Sequence, residues 1–198
     1  RFAGVHVPKL TWLPSDLQRD VRVTWNGLKR AQEEALVLLF SLGREDEVRR
    51  AMRSAAVGKF VGDDFYVHVS ALDLVPPVLR LAEFAARRLV GQVEAELVKI
   101  SESGRAVSFL RYPDFDHDPH PGLRSSLRVY LPRAKYELRE YGDANPFILH
   151  RKELFVAPDY PGRDRFEALS LAEEQAGLLG GHDIGRVKDG DDSSRIET

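Results

Sequence analysis

The sequence predicts an α+β fold in which N-terminal helices and a closing C-terminal helix pack on a mainly antiparallel sheet. Apolar residues recur at helical spacing early in the chain and again near its end. Between them, short segments rich in aromatic and β-branched residues are joined by turns of hairpin length. A group of helices followed by a run of strands, without regular alternation, is typical of the α+β class.

The helices are predicted from apolar spacing and from the residues at their ends. Over 26–42 apolar residues occupy nearly the whole circumference of the second half, so we expect a buried helix. Asp73 can cap a later helix, and Gly91 ends it. The predicted helices are 26–42, 45–56, 73–90 and 163–179, preceded by an extended segment over 1–23 that packs on the domain.

The strands are predicted from short β-branched and aromatic runs bounded by turn residues. The two runs on either side of residues 101–105 form the clearest hairpin, because Gly104 lies near the end of that turn. The predicted strands are 65–69, 96–100, 106–111, 126–131, 136–141 and 147–156.

Length and composition favour one globular domain. The 198 residues are enough for a sizeable core, and we expect a single α+β domain at 1–179. It would have a helical part at 1–60 and a second part at 61–179. The segment 180–198 is rich in Gly, Asp and Ser and has few apolar residues, which predicts a flexible tail.

Several classes of protein and of site are excluded by the residue counts. There is no cysteine, so disulfides, thiolate zinc sites and cysteine nucleophiles are ruled out, and a cytoplasmic location is expected. No run of about 18 apolar residues is present, so no membrane-spanning helix and no membrane partner are expected. The net charge of −2 gives no whole-molecule attraction to nucleic acid, although a local basic face remains compatible with it.

An acidic loop at 112–121 is the first candidate for chemistry. It contains three aspartates and two histidines within seven residues, separated by prolines. Carboxylates and neutral imidazoles are ligands for Mg²⁺, Mn²⁺ or Zn²⁺, so a divalent metal ion is the candidate cofactor. The alternative is a surface turn in which the Asp side chains accept hydrogen bonds from nearby amides. The candidate ligands are Asp114, Asp116, Asp118 and His120.

A second candidate follows the apolar run at 147–149. The triplet His150, Arg151 and Lys152 could present cations to a phosphate, and His150 could serve as a general acid or base. Alternating charges on a solvated strand would give the same pattern. The candidate catalytic residues are Asp116, His120, His150 and Lys152.

A local excess of basic residues is the third candidate. Between residues 122 and 165 there are nine Lys or Arg against six Asp or Glu, with tyrosines interleaved. A basic, aromatic sheet face can contact a nucleic-acid backbone, although a solvated sheet face would look similar. The candidate nucleic-acid contacts are Arg124, Arg128, Arg151 and Lys152.

Ordered blocks at 65–73, 76–80, 107–116, 118–121, 145–146, 148–153 and 157–161 give the chain a family resemblance. They resemble the DNA phosphorothioation-associated methyltransferases, a bacterial family whose methyltransferase activity is an assumption in its name. The resemblance spans about 61–179 and implies a role in DNA sulfur modification or phage defence. It implies DNA or other components of such a system as partners. The chain has no glycine-rich cofactor loop after a strand, so S-adenosylmethionine binding is not carried over.

Three hypotheses about function follow. The first is a component of a bacterial DNA-modification or phage-defence system that contacts DNA or a DNA-processing partner. The second is a divalent-metal-dependent phosphodiesterase or nuclease that uses the acidic loop. The third is a non-catalytic assembly module whose helix at 26–42 supports a protein partner. The residues leave open whether the chain is an enzyme.

Overall fold

The computed structural model describes residues 9–142, 147–178 and 187–188. The chain divides into two compact units, residues 1–41 and 42–198. This boundary differs from the division near residue 60 that the sequence suggested. Among the described residues, no helix has both the length and the apolar character required to cross a lipid bilayer.

In its described part, residues 9–41, the first unit contains two helices, α1 (Ser15–Trp25) and α2 (Leu28–Ser41), which follow a 3-10 turn at Leu10–Trp12. The expectation of an extended segment over 1–23 is therefore wrong for its second half. The residues of α1 that repeat every fourth position are apolar, and Asp16 lies in its positively polarised first turn. Asn26 ends the helix in the left-handed conformation. The Trp25 indole donates a hydrogen bond to Glu34 Oε2 at 2.7 Å and links the two helices.

Helix α2 differs from the buried helix that its composition predicted. Four of its large apolar side chains are exposed, by 51% to 67%. Within residues 9–41 the only other long helix is α1, and one neighbouring helix covers only one face of α2. The exposed apolar residues are Leu36, Val37, Leu39 and Phe40.

The second unit is built on a six-stranded antiparallel sheet in which the strands follow chain order. This architecture confirms the predicted α+β class. Five of the six strands were predicted to within a residue or two, and β1 was missed because it has only three residues. The strands are β1 (Lys59–Val61), β2 (Asp64–His68), β3 (Leu97–Ile100), β4 (Ala106–Arg111), β5 (Ser125–Tyr130) and β6 (Lys135–Glu140).

Helices α3 (Glu45–Ser54) and α4 (Pro77–Val90) belong to this unit, and α4 packs against β3, β4 and β5. Gly91 at φ +81° ends α4, as the sequence predicted, but the helix begins at Pro77 and not at Asp73, which lies in a 3-10 turn at Val69–Leu74. Proline in the first helical turn costs no hydrogen bond, so Pro77 can begin the helix. The Arg87 guanidinium lies 4.9 Å from the centre of the Phe109 ring on β4. One face of the sheet is thus covered by helix.

A second apolar cluster lies on the opposite face of the sheet. Tyr66, Leu97 and Leu110 are neighbours there through the register of β2, β3 and β4. They pack with residues of the loop between β4 and β5 and with residues that follow β6, including Phe166 of helix α5 (Arg163–Gln175). The later members of the cluster are Tyr112, Phe115, Leu123, Leu149, Phe155, Val156 and Phe166.

The predicted strand over 147–156 is mostly absent. Only β7 (Ile148–Leu149) is extended, and it pairs with β8 (Val187–Lys188). Arg151 adopts φ +49°, which a strand does not allow, and a 3-10 turn follows at Lys152–Leu154. Apart from residues 187–188, the tail predicted at 180–198 lies outside the described residues.

Tyr112 provides a test of the second cluster. Its side chain is fully buried, and its hydroxyl has no hydrogen-bond partner among the described residues. Burial accordingly raises the pKa of Tyr112 well above its ordinary value. We expect Tyr112→Phe to raise the free energy of unfolding by about 1 kcal/mol, because it removes an unsatisfied buried polar group. Urea unfolding measures this, with the exposed Tyr136→Phe as control; a loss of stability would show that the hydroxyl has a partner.

Candidate functional site

The acidic loop between β4 and β5 is a series of tight turns. The carbonyl of Asp114 accepts hydrogen bonds from the amides of His117 and Asp118, at 3.1 and 2.9 Å. Asp118 Oδ1 accepts a hydrogen bond from the amide of His120 at 2.9 Å. Phe115 is buried, whereas the three aspartates are exposed. The local backbone of this loop is therefore what the surface-turn alternative expects.

The buried side chain of Lys152 forms hydrogen bonds with the backbone of the acidic loop. Its Nζ donates hydrogen bonds to the carbonyls of Phe115 and Asp118, both at 2.7 Å. The amine also lies 4.0 Å from the centre of the Phe166 ring. Only 3% of the residue is exposed. Burial, and then the nearby Arg165 charge, lower the pKa of Lys152 to about 8.

The position of Lys152 corrects two predicted roles. A buried amine that donates to two backbone carbonyls cannot contact a phosphate backbone in this conformation. It is also not directed at a reacting group, so its observed part is to position the acidic loop. The left-handed Arg151 turns the chain so that Lys152 faces the interior. Lys152 stands among charged residues in the sequence, and lysine is rarely buried without a partner. Nothing in the sequence therefore indicated that this side chain is buried.

The predicted ligand set Asp114, Asp116, Asp118 and His120 does not come together as a group. Asp116 Oδ1 accepts a hydrogen bond from the Tyr160 hydroxyl at 2.8 Å, and Asp118 caps the His120 amide. In residues 9–142, 147–178 and 187–188 the one cluster with metal-ligand spacing excludes all three aspartates. The recorded side-chain hydrogen bonds of Asp116 and Asp118 go to different partners, Tyr160 and the His120 amide, and not to a common centre.

The cluster that does form contains His120, His150 and Glu173. One ligand atom from each residue lies within 4.8 Å of the other two. His120 Nε2 is 2.5 Å from Glu173 Oε1, and the two imidazole rings have centroids 4.6 Å apart. Each of the three residues is partly buried. The acidic loop, the end of β7 and helix α5 supply one residue each.

Two of these three residues were predicted from the sequence, and Glu173 was missed as a site residue. In the sequence, Glu173 is three residues after Ser170, within the predicted helix at 163–179. The same spacing places both on one face of α5. Ser170 is buried and donates a hydrogen bond to the buried Glu153 at 3.0 Å, so that face points inward. The three-residue spacing from Ser170 was the signal available in the sequence for Glu173, and only the structure shows that this face points inward.

His68 is a buried histidine with a structural role. Its Nδ1 accepts a hydrogen bond from the amide of Ser70 at 3.1 Å and lies 2.8 Å from the Ser70 hydroxyl. Its ring packs 4.5 Å from Phe115 and 4.9 Å from Tyr160, measured between centroids. Burial lowers the pKa of His68 to about 4. A neutral imidazole that caps the turn at Val69–Leu74 is a poor proton donor near pH 7.

The remaining predicted nucleic-acid contacts are three arginines, Arg124, Arg128 and Arg151, which differ in exposure. The Arg151 side chain is only 14% exposed, and its Nη2 lies 3.1 Å from Glu174 Oε2. Arg124 and Arg128 are exposed, one just before β5 and one within it. Only the latter two are therefore placed to meet a large external partner.

Comparison with protein-family models, with curated proteins and with solved structures finds no match to this chain. Its activity therefore has to be inferred from its own side chains.

Proposed function

We propose that this chain is a nucleic-acid-contacting component of a bacterial DNA-modification or phage-defence system. The observation that carries the proposal is a group of four cations on one face of β5 and β6, at the edge of the sheet. The family resemblance of the sequence supplies the biological setting. The structure contributes the arrangement of the charges, defined here as the basic face: Arg124, Arg128, Lys135 and Arg139.

The basic face follows from strand geometry. Side chains two residues apart on a strand lie on the same side, so Arg124 and Arg128 share one side of β5. The register places Arg139 opposite Ser126 and Lys135 opposite Tyr130. Arg139 and Lys135 on β6 therefore lie on the same face of the sheet as Arg124 and Arg128. Four residues of strand span about 13 Å, and neighbouring strands are about 4.8 Å apart. The cations thus form a short two-row strip.

The strip is accessible and carries an aromatic neighbour. All six residues of β6 are exposed, and β6 is an edge strand. The Arg128 guanidinium lies 5.1 Å from the centre of the Tyr130 ring. Glu137 lies opposite Arg128 and is 3.7 Å from Arg139, which is a weak exposed ion pair of about 0.2–1 kcal/mol. A phosphate oxygen can therefore compete for these arginines.

The first experiment is binding of the chain to a short labelled DNA duplex, with and without one backbone phosphorothioate, at low and at physiological salt. We expect affinity to fall steeply as salt rises, because cations that contact phosphates release counterions. A preference for the sulfur-containing duplex would support the modification setting. Absence of binding under all these conditions would contradict the proposal.

We expect Arg128→Gln to lower the magnitude of the salt slope, d log K/d log [salt], by about 0.9 and to weaken binding equally for different sequences. The double variant Arg124→Gln/Arg128→Gln should lower it by about 1.8. The matched control is Arg88→Gln, an exposed arginine on α4, which packs against the sheet rather than belonging to it. An equal effect of the control would show that net charge, and not the basic face, determines binding.

The assembly-module hypothesis keeps one specific observation in its favour. Helix α2 exposes Leu36, Val37, Leu39 and Phe40 together, and exposed apolar groups of this kind mark protein contacts. Val37→Glu/Phe40→Glu should then abolish co-purification of a stoichiometric partner and leave DNA affinity unchanged. If no such partner co-purifies with the wild-type chain, this second function loses its support.

A further inference from the structure

We propose that His120, His150 and Glu173 bind one divalent transition-metal ion of the zinc type. This site is independent of the basic face and uses a ligand set that differs from the predicted aspartates. It rests on the convergence of two imidazoles and one carboxylate from three separate elements.

The distances are close to those that a metal ion requires. Ligand atoms bound to zinc at 2.0–2.1 Å with tetrahedral angles lie about 3.3 Å apart. Here the three ligand atoms already lie within 4.8 Å of one another, and His120 Nε2 is 2.5 Å from Glu173 Oε1. Binding therefore requires the imidazole and carboxylate to separate slightly and the more distant atoms to approach. Side-chain rotations supply shifts of this size.

The surroundings allow His120 to make that adjustment. Its other ring nitrogen, Nδ1, is buried and has no hydrogen-bond partner in the part of the chain that the structure describes. The ring can therefore turn without breaking a second hydrogen bond. Its backbone is held more firmly, because Asp118 accepts a hydrogen bond from the His120 amide and Lys152 donates one to the Asp118 carbonyl. The held backbone keeps the His120 ring beside His150 and Glu173.

The donor set indicates the class of metal. Two imidazoles and one carboxylate suit Zn²⁺, Co²⁺, Ni²⁺ or Fe²⁺ better than Mg²⁺ or Ca²⁺, which prefer oxygen ligands throughout. The chain has no cysteine to complete a closed thiolate site. Three protein ligands leave a position for water or an anion, which is the arrangement of catalytic rather than structural zinc.

The competing explanation is that His120 and Glu173 form a structural hydrogen bond and nothing more. It differs in what it predicts for His150, because the His120–Glu173 contact does not involve that residue. A metal site requires all three residues for affinity, whereas a structural pair would leave metal binding absent or insensitive to His150.

The test is titration of the full chain, first stripped with a chelator, with Zn²⁺ by calorimetry and with Co²⁺ by visible absorption. We expect one ion per chain and the visible bands of a low-coordinate Co²⁺ site. Glu173→Gln, His120→Asn and His150→Asn should each weaken Zn²⁺ affinity at least tenfold. The matched controls are Glu174→Gln, His117→Asn and His6→Asn/His182→Asn, which should change affinity less than twofold.

Folding is checked by circular dichroism for every variant. If a ligand variant does not fold, nitrogen NMR of the wild-type histidine rings replaces it, and Zn²⁺ should then shift the signals of His120 and His150. Absence of Zn²⁺ binding would overturn the proposal. Binding that survives all three ligand substitutions, or that is lost equally in the controls, would overturn it as well. None of these readouts depends on DNA binding, so the basic face and the metal site can fail separately.

Discussion

Replacing Lys152 with methionine is expected to lower the free energy of unfolding by about 2 kcal/mol at pH 7. The substitution leaves the carbonyls of Phe115 and Asp118 without their donor, at a cost of about 1–3 kcal/mol for each buried group. Part of that cost is offset, because the folded protein no longer buries a charge. Methionine has a similar length and keeps the contact with the Phe166 ring, so the change tests the amine itself.

The same variant has a pH signature. The pKa of Lys152 is about 8 in the folded protein and ordinarily 10.5. Between these values the unfolded chain holds a proton that the folded chain has lost, so the wild type becomes more stable as pH rises. The neutral amine retains two N–H groups, enough for both carbonyls. The stability advantage of the wild type over Lys152→Met should therefore grow from pH 8 to 10.5, by on the order of 3 kcal/mol.

Urea unfolding of both proteins at pH 7, 8, 9 and 10 measures this advantage. Other titrating groups are common to the two proteins and cancel in the difference. The control is Lys135→Met, an exposed lysine on β6. A pH-dependent difference as large as that of Lys152→Met would show that removal of any lysine produces the effect. An advantage of Lys152 that is constant or falls over this range would contradict the burial of a perturbed amine.

Gly58→Ala is expected to be the most damaging small substitution, with a loss of about 3–4 kcal/mol. Gly58 adopts φ +83°, which costs an alanine about 1 kcal/mol or more. A Cβ there would also lie 2.5 Å from Phe65 Cζ and 2.7 Å from the Tyr66 carbonyl oxygen. The backbone oxygen belongs to β2 and cannot move away without disturbing the sheet, so overpacking adds to the strain.

Gly62→Ala is the matched control for this prediction. Gly62 has φ +61°, but a Cβ there would meet nothing within 4 Å. The control should therefore lose only the conformational term, about 1 kcal/mol. Thermal or urea unfolding compares the two. Equal losses would show that backbone conformation alone, and not the contact with Phe65 and Tyr66, requires the glycine at position 58.

The parts of the fold that were predicted correctly are those governed by local chemistry. The β3–β4 hairpin was predicted from Gly104 and its flanking β-branched runs, and the end of α4 from Gly91. Such residues restrict the backbone wherever they occur. Helix α1 was missed although every fourth residue in it is apolar, because residues 1–23 were assigned to an extended segment, and strand β1 was missed because it has only three residues. The strand predicted at 147–156 ended early because Arg151 takes a conformation that its side chain does not indicate.

The candidate site, in contrast, depends on contacts between residues that are far apart in the sequence. His120 is 30 residues from His150 and 53 residues from Glu173, and no local preference relates residues so far apart. Asp114, Asp116 and Asp118 lie within five residues of sequence, yet among the described residues none of them belongs to the cluster with metal-ligand spacing. Lys152 looked like a surface cation and lies inside because two carbonyls of the acidic loop accept its hydrogen bonds.

By itself, the sequence determined the α+β class and most strand and helix limits of the second unit. These depend on interactions between residues a few positions apart. Only the tertiary structure decided that His120, His150 and Glu173 meet, that Lys152 is buried and that the apolar side chains of α2 are exposed. Each of those outcomes depends on which distant elements pack together, because burial and long-range contacts are properties of the folded whole.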